Sequence, residues 1–279
     1  MITRNDIVRE LTAYGAGQRS SLTLAEVGVR IGALERPALP LDRYTRHLQS
    51  LADKVGTYAR TNDGAVPVAV MAEALCQVLA RHMGYGGGET GGSDEDCFEL
   101  SRVIDNREGS AEALSILYAE SARRLGWKAQ VLRVHGRTVV RVESLGERLI
   151  LDPLGMGRVL EPADLRAIIK AYAGMESELT PNGITELDDK AALLGMMAGR
   201  KSVLLRSKRL DDAATLIDCA LMISPSDPTL WRECGLLNAR RDRIRDAISA
   251  LEEYLRLGAG DDGRYTTTML LQELRGRLS

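Results

Sequence analysis

The sequence predicts an α+β domain with a helical N-terminal part over residues 1–180, followed by an all-α helical-repeat domain over residues 181–279. Three observations carry this reading. The chain has 279 residues, about two domains at roughly 150 residues each. A helical period from Ser110 to Leu125 runs straight into three short alternating segments, the order expected of a helix packed on an antiparallel meander. Beyond Pro181 the chain reads as purely helical, and its apolar pattern recurs after 34 residues.

The first domain opens with helices between Ser21 and Arg81. Leu41, Tyr44, Leu48, Leu51 and Val55 recur at three- and four-residue steps, which makes one apolar stripe. Pro37 and Pro40 flank the turn before it. A second stripe uses Val70, Ala74, Leu75, Val78 and Leu79 and ends at Met83-Gly84. Six glycines lie between Gly84 and Gly92, but no GxxxxGK[ST] pattern is present, so the segment reads as a flexible loop rather than a phosphate cradle. Its acidic end, Asp94 to Asp96, lacks the alternating ligands and terminal glutamate of a calcium loop.

Ser110 then reads as the N-cap of a helix carrying Leu114, Leu117, Tyr118, Ser121 and Leu125, with Gly126 as its stop. Ala129–Val134, Thr138–Val142 and Arg148–Leu151 read as strands, with turns at Gly136 and within Glu143–Glu147. Asp152-Pro153 closes the third. In the helical domain, Ala213, Ile217 and Ala220 are followed 34 residues later by Ala247, Leu251 and Tyr254, and Trp231 and Gly235 open the helix between them. Small residues at these places let paired helices approach while Leu or Tyr fills the adjoining groove. This pattern looks like a pair of tetratricopeptide repeats. A pair rarely stands alone, so it is expected to pack on the preceding domain or on a final helix over Thr266–Leu278.

Composition excludes several functions. Lys and Arg number 37 against 39 Asp and Glu, a formal charge of −2 that argues against a dedicated nucleic-acid binder. No apolar run is long enough to span a bilayer, and the N-terminus lacks a secretory signal's apolar core, which together suggest a cytoplasmic protein without a membrane partner. Cys76, Cys97, Cys219 and Cys234 form no CxxC pair and stand at no zinc spacing from His47, His82 or His135, so no metal or cofactor is implied. Cys76, Cys219 and Cys234 lie on apolar faces and read as small buried hydrophobes. Cys97, among Asp94, Glu95 and Asp96, reads as the exposed one, with neighbours that disfavour its thiolate.

The stretch Arg107-Glu108-Gly109-Ser110-Ala111-Glu112-Ala113-Leu114-Ser115-Ile116-Leu117-Tyr118, then Ala122-Arg123-Arg124-Leu125-Gly126 and Leu151-Asp152-Pro153, resembles the transglutaminase-like proteins of the SirB type. These are invasion-regulator-like bacterial proteins that join such a domain to tetratricopeptide repeats. The resemblance runs from about Ser21 to the C-terminus and implies a papain-like core of one helix and antiparallel strands. Active members use a Cys at a helix start, a His on the next strand and an Asp that orients it. Carried over, the Cys position is Ala111, the His position is Arg137, and the Asp is Asp152. SirB-type proteins commonly carry proline at the Cys position but often keep the His that is absent here.

With no nucleophile at Ala111, the resemblance implies a catalytically inactive module that binds a protein or peptide through its repeats. An enzyme alternative, a residual serine or cysteine hydrolase or peptidase, would have to recruit Ser110 or Cys97 with His135. Ser110 is one helical step from Ala111 and so points elsewhere. His135 shares a strand face with Arg137 only if the strand runs unbroken. Arg137 and Asp152 are expected to form an ion pair across adjacent strands where a His–Asp contact stands in active members.

Overall fold

A computed structural model describes residues 2–18, 21–60, 65–88, 94–174, 183–258 and 261–277. The α+β part followed by an all-α repeat part, as read from the sequence, is what it contains. Two compact units result, one spanning Ser21–Arg200, the other joining residues 4–18 to Lys201 onward.

In the first unit, α2 (Leu24–Glu35) starts with a capping box in which Thr23 N–H donates to Glu26 Oε2 at 3.2 Å. Nearly every residue of α2 is buried. The stripe on α3 (Leu41–Tyr58) is also buried, from Leu41 through Val55. Helix α4 (Val68–Leu75) continues into a π-helical stretch, Cys76–His82, a widening of the turn that the apolar spacing does not announce. A 3₁₀ turn, Glu95–Phe98, and α5 (Leu100–Asn106) follow. Then comes α6 (Ala111–Arg124), with Ala113 through Ala122 all buried. Ser110 caps it as expected, its Oγ accepting from Ala113 N–H at 3.2 Å, and Gly126 ends it at φ +75°.

Three strands follow, each longer than its sequence pattern: β1 (Lys128–Val134), β2 (Arg137–Ser144) and β3 (Glu147–Asp152). Two-residue turns join them, closed by Val134 opposite Arg137 and Ser144 opposite Glu147. Two more strands, β4 (Arg158–Val159) and β5 (Ile184–Leu187), extend an antiparallel sheet ordered β4-β3-β2-β1-β5. Strand β5 corrects the purely helical reading beyond Pro181: four residues are too few to display a period, and only pairing with β1 makes them a strand. One face of the sheet packs on α6. The other presents Leu132, Val134 and Val139 to Leu165 and Ile169 of α7 (Pro162–Ala173). α8 (Asp189–Arg206) spans the division between the units.

In the second unit, α1 (Arg4–Gly15) lies against α9 (Leu210–Ile223), where a Cβ on Gly15 would stand 1.9 Å from the Met222 carbonyl oxygen. The repeat residues Ala213, Ile217, Ala220, Ala247, Leu251 and Tyr254 are all buried, on α9 and α11 (Ile244–Arg256). Between them, α10 (Pro228–Arg240) is capped by Asp227, which accepts from Thr229 N–H at 2.8 Å, and Trp231 Nε1 donates to the Pro225 carbonyl at 2.8 Å. The expected packing on a final helix is present: Ala247 and Leu251 cluster with Leu271 and Leu274 of α12 (Asp261–Gly276). No described helix is long and apolar enough to cross a membrane.

Candidate functional site

The three equivalent positions of the sequence reading lie at the start of α6, the start of β2 and the end of β3. Ala111 is the first residue of α6 and carries no heteroatom. Arg137 Nη2 donates to both carboxylate oxygens of Asp152, at 3.0 and 2.7 Å. Asp152 is buried and Arg137 is 23% exposed, so the expected ion pair exists and most of it is shielded from water.

Strand alternation adds a residue that the sequence reading missed. Arg137 shares a face with Val139, which packs toward α7, whereas its neighbour Thr138 faces α6. Thr138 Oγ1 donates to Glu112 Oε1 at 3.3 Å. Neither strand position therefore offers a base to the helix start: one is a cation held by Asp152 and the other a hydroxyl. Only the β1–β2 register, absent from a linear pattern, shows which of the two faces α6.

The turn after β3 is shaped around this region. A Cβ on Gly155 would meet Asp152 Oδ2 at 2.6 Å, and one on Gly157, at φ +73°, would meet Tyr118 Oη at 2.6 Å. Tyr118 is fully buried, and burial, then Cys76 and Asp152, push its phenol far above the usual range. Cys76 Sγ donates to the Met156 carbonyl at 3.3 Å, and burial raises its thiol. The glycine segment, read as flexible, is pinned in its described part: Gly86 N–H donates to the Arg107 carbonyl at 3.1 Å and Gly109 N–H to the Gly86 carbonyl at 3.0 Å. Residues 89–93 of that segment lie outside the described residues.

The residues of the hydrolase alternative do not form a site: Ser110 and Cys97 are joined through their backbones, while His135 is exposed in the β1–β2 turn. Ser110 is buried and its Oγ is spent on the cap. Cys97 corrects the expectation of an exposed thiol: the 3₁₀ turn rotates it inward to 5% exposure, and its carbonyl accepts from Ser110 N–H at 2.8 Å. The half-buried cysteine is instead Cys76, and no disulfide joins any of the four. His135 sits in the β1–β2 turn at φ +50°, exposed, so the strand is broken there and the shared face with Arg137 is lost. Asp94 accepts from Asp96 N–H at 3.0 Å, capping the 3₁₀ turn. Among the described residues no acidic, His or Cys cluster suits a metal ion.

A second cluster lies elsewhere in the unit. His47 Nε2 is 2.7 Å from Tyr85 Oη and 2.9 Å from Arg107 Nη1, and Arg107 also donates to Tyr85 Oη. Burial, then the charges of Arg107 and Arg43, hold the imidazole down at about 4. A histidine depressed in the fold leaves stability intact above its ordinary value near 6.5 and removes it as pH falls toward 4. Acid titration of the folded protein should therefore cost about 1–2 kcal/mol over that window, discounted because water reaches part of the ring. Urea midpoints measured from pH 7.5 to 4.5 should show a steeper fall in the parent than in His47→Gln; equal slopes would contradict the assignment.

Comparison with known proteins agrees with this fold. A family model described as the transglutaminase-like superfamily matches residues 42–198, and a tetratricopeptide-repeat model matches residues 201–272. A UPF0162 protein of Xylella fastidiosa (strain Temecula1) is 25% identical over 262 residues, 92% of this chain and 89% of its own. Protein SirB1 of Salmonella typhimurium is 25% identical over 161 residues, 57% of this chain and 60% of its own. A crystal structure of menin aligns at a TM-score of 0.40 and 8% identity over 96% of this chain and 74% of that one, too distant to carry an argument. Transglutaminase-like and repeat domains together, with SirB-like relatives, suggest a regulatory or interaction role.

Proposed function

This chain belongs to the transglutaminase-like superfamily, and on that premise we propose that it is a catalytically inactive member acting as a regulatory binding module, with the repeats as the surface for a protein or peptide partner. One observation carries the reading. The helix start that should present a thiolate presents Ala111, and the Asp that should orient a base is engaged through both oxygens by Arg137. Covalent acyl transfer needs a nucleophile with a base in hydrogen-bond reach, and neither Arg137 nor Thr138 can accept the proton. The repeats favour binding instead: stacked helical hairpins offer grooves that take peptides or helices.

The hydrolase alternative has a direct test. Native protein treated with a fluorophosphonate probe and with iodoacetamide, then mapped by mass spectrometry, should show no enriched label at Ser110. Cys97 should label only after unfolding, and Cys76 only slowly at neutral pH because its thiol is raised. Fast, selective modification of Ser110 or Cys97 would contradict the inactive reading.

A further inference from the structure

The arginine cluster around His47 is not explained by the fold or by the proposed function. It lines a cleft of about 350 Å³ with Arg43, Arg46, His47, Asp105 and Arg107 at its walls, a volume in the range of small-molecule sites. Its charges do not balance. Asp105 is already committed, accepting from Arg43 at 2.9 Å and from Tyr44 Oη at 2.8 Å. Among the described residues Arg46 donates only to the Asp42 carbonyl, at 3.2 Å, and Arg107 has no carboxylate partner. Two cationic charges therefore remain uncompensated beside one cleft.

Arg107 is also held in a defined pose. It ends α5 in the left-handed region at φ +66°, a conformation costly for a non-glycine residue. Its guanidinium lies 4.7 Å from the Tyr85 ring centroid, and its Nη1 corner is tied to His47 and to Tyr85. Because Nη1 is used, the Nε–Nη2 edge is left over. That edge presents two parallel N–H groups, the fork that grips a carboxylate or phosphate through two hydrogen bonds. His47 is neutral at pH 7, so it accepts from Arg107 rather than repelling it.

We infer that this cleft binds a small organic oxyanion, a phosphate monoester or a carboxylate, gripped by Arg107 and Arg46, with Arg43 adding charge beside it. The cleft is far larger than a bare phosphate requires, so an organic group accompanies the anion. The site is independent of the proposed role of the repeats and of the Ala111 region.

Isothermal calorimetry on the full chain, with phenyl phosphate in one arm and succinate in the other, tests it. One or both should bind at 1:1 with Kd below ~10 mM, and the tighter arm assigns the anion class. Arg46→Gln removes an exposed side chain without touching the core and should weaken binding about tenfold, the loss expected of one charge-assisted contact. Arg107→Gln should abolish it, but Arg107 also braces Tyr85, so Arg46→Gln is the deciding variant. Arg245→Gln, on the exposed surface of the other unit, should change nothing. The inference is overturned if neither anion saturates, if Arg46→Gln binds as tightly as the parent, or if Arg245→Gln weakens binding equally.

Discussion

Replacing Arg137 with alanine is expected to lower stability by about 1–3 kcal/mol, because it strands the buried carboxylate of Asp152 without its partner. The direction follows from solvation. Asp152 has left water, and two hydrogen bonds from one guanidinium group compensate for that loss. The magnitude stays below that of a fully buried pair because Arg137 is 23% exposed and water can reach the gap. Denaturant midpoints at constant m-value measure it. Arg137→Lys should recover part of the loss, since an ammonium restores charge but not the two-pronged contact. Asp152→Asn combined with Arg137→Ala should be milder than Arg137→Ala alone, since no charge is then stranded. An unchanged midpoint in Arg137→Ala would show that the pair contributes nothing.

Gly235→Ala should destabilise the repeat unit by about 1–3 kcal/mol, although alanine is the better helix former by about 0.5–1 kcal/mol. The close approach of α10 and α11 decides the sign. A Cβ at Gly235 would lie 2.5 Å from Leu251 Cγ and 3.3 Å from the Ala247 carbonyl oxygen. Cγ is the branch point of a fully buried leucine rather than a free end, so the helices must move apart. Leu251→Ala alone should cost about 2–5 kcal/mol through the cavity it leaves among Ala247, Leu271 and Leu274. The double variant should cost less than the sum, because alanine at 251 makes room for alanine at 235. Calorimetric unfolding of the four proteins reads this cycle; strict additivity would mean that the two positions do not touch.

Much of this was legible in the sequence because it rests on local periodicity. The stripe from Leu41 to Val55, the cap at Ser110, the stop at Gly126 and the 34-residue recurrence of Ala213 at Ala247 each follow from spacing alone. The Arg137–Asp152 pair was legible too, since two opposite charges on neighbouring strands are within reach. What escaped depends on pairing partners far along the chain. Strand β5 exists through β1, and Thr138 faces α6 through the β1–β2 register. The burial of Cys97 comes from a 3₁₀ turn whose acidic surroundings read as exposed. His135 fell out of line because the turn takes that residue to φ +50°. The His47–Tyr85–Arg107 cluster joins three segments up to 60 residues apart, and no linear motif connects them.

We propose that this fold keeps the scaffold of acyl-transfer chemistry without its reacting groups. The test is to incubate the full chain with glutamine-containing acyl-donor peptides and follow ammonia release, beside Asp152→Ala. The expected result is release no faster than in protein-free buffer for both proteins. Turnover above background would contradict it, and its loss in Asp152→Ala, measured where that variant is still folded, would place the reaction at this site.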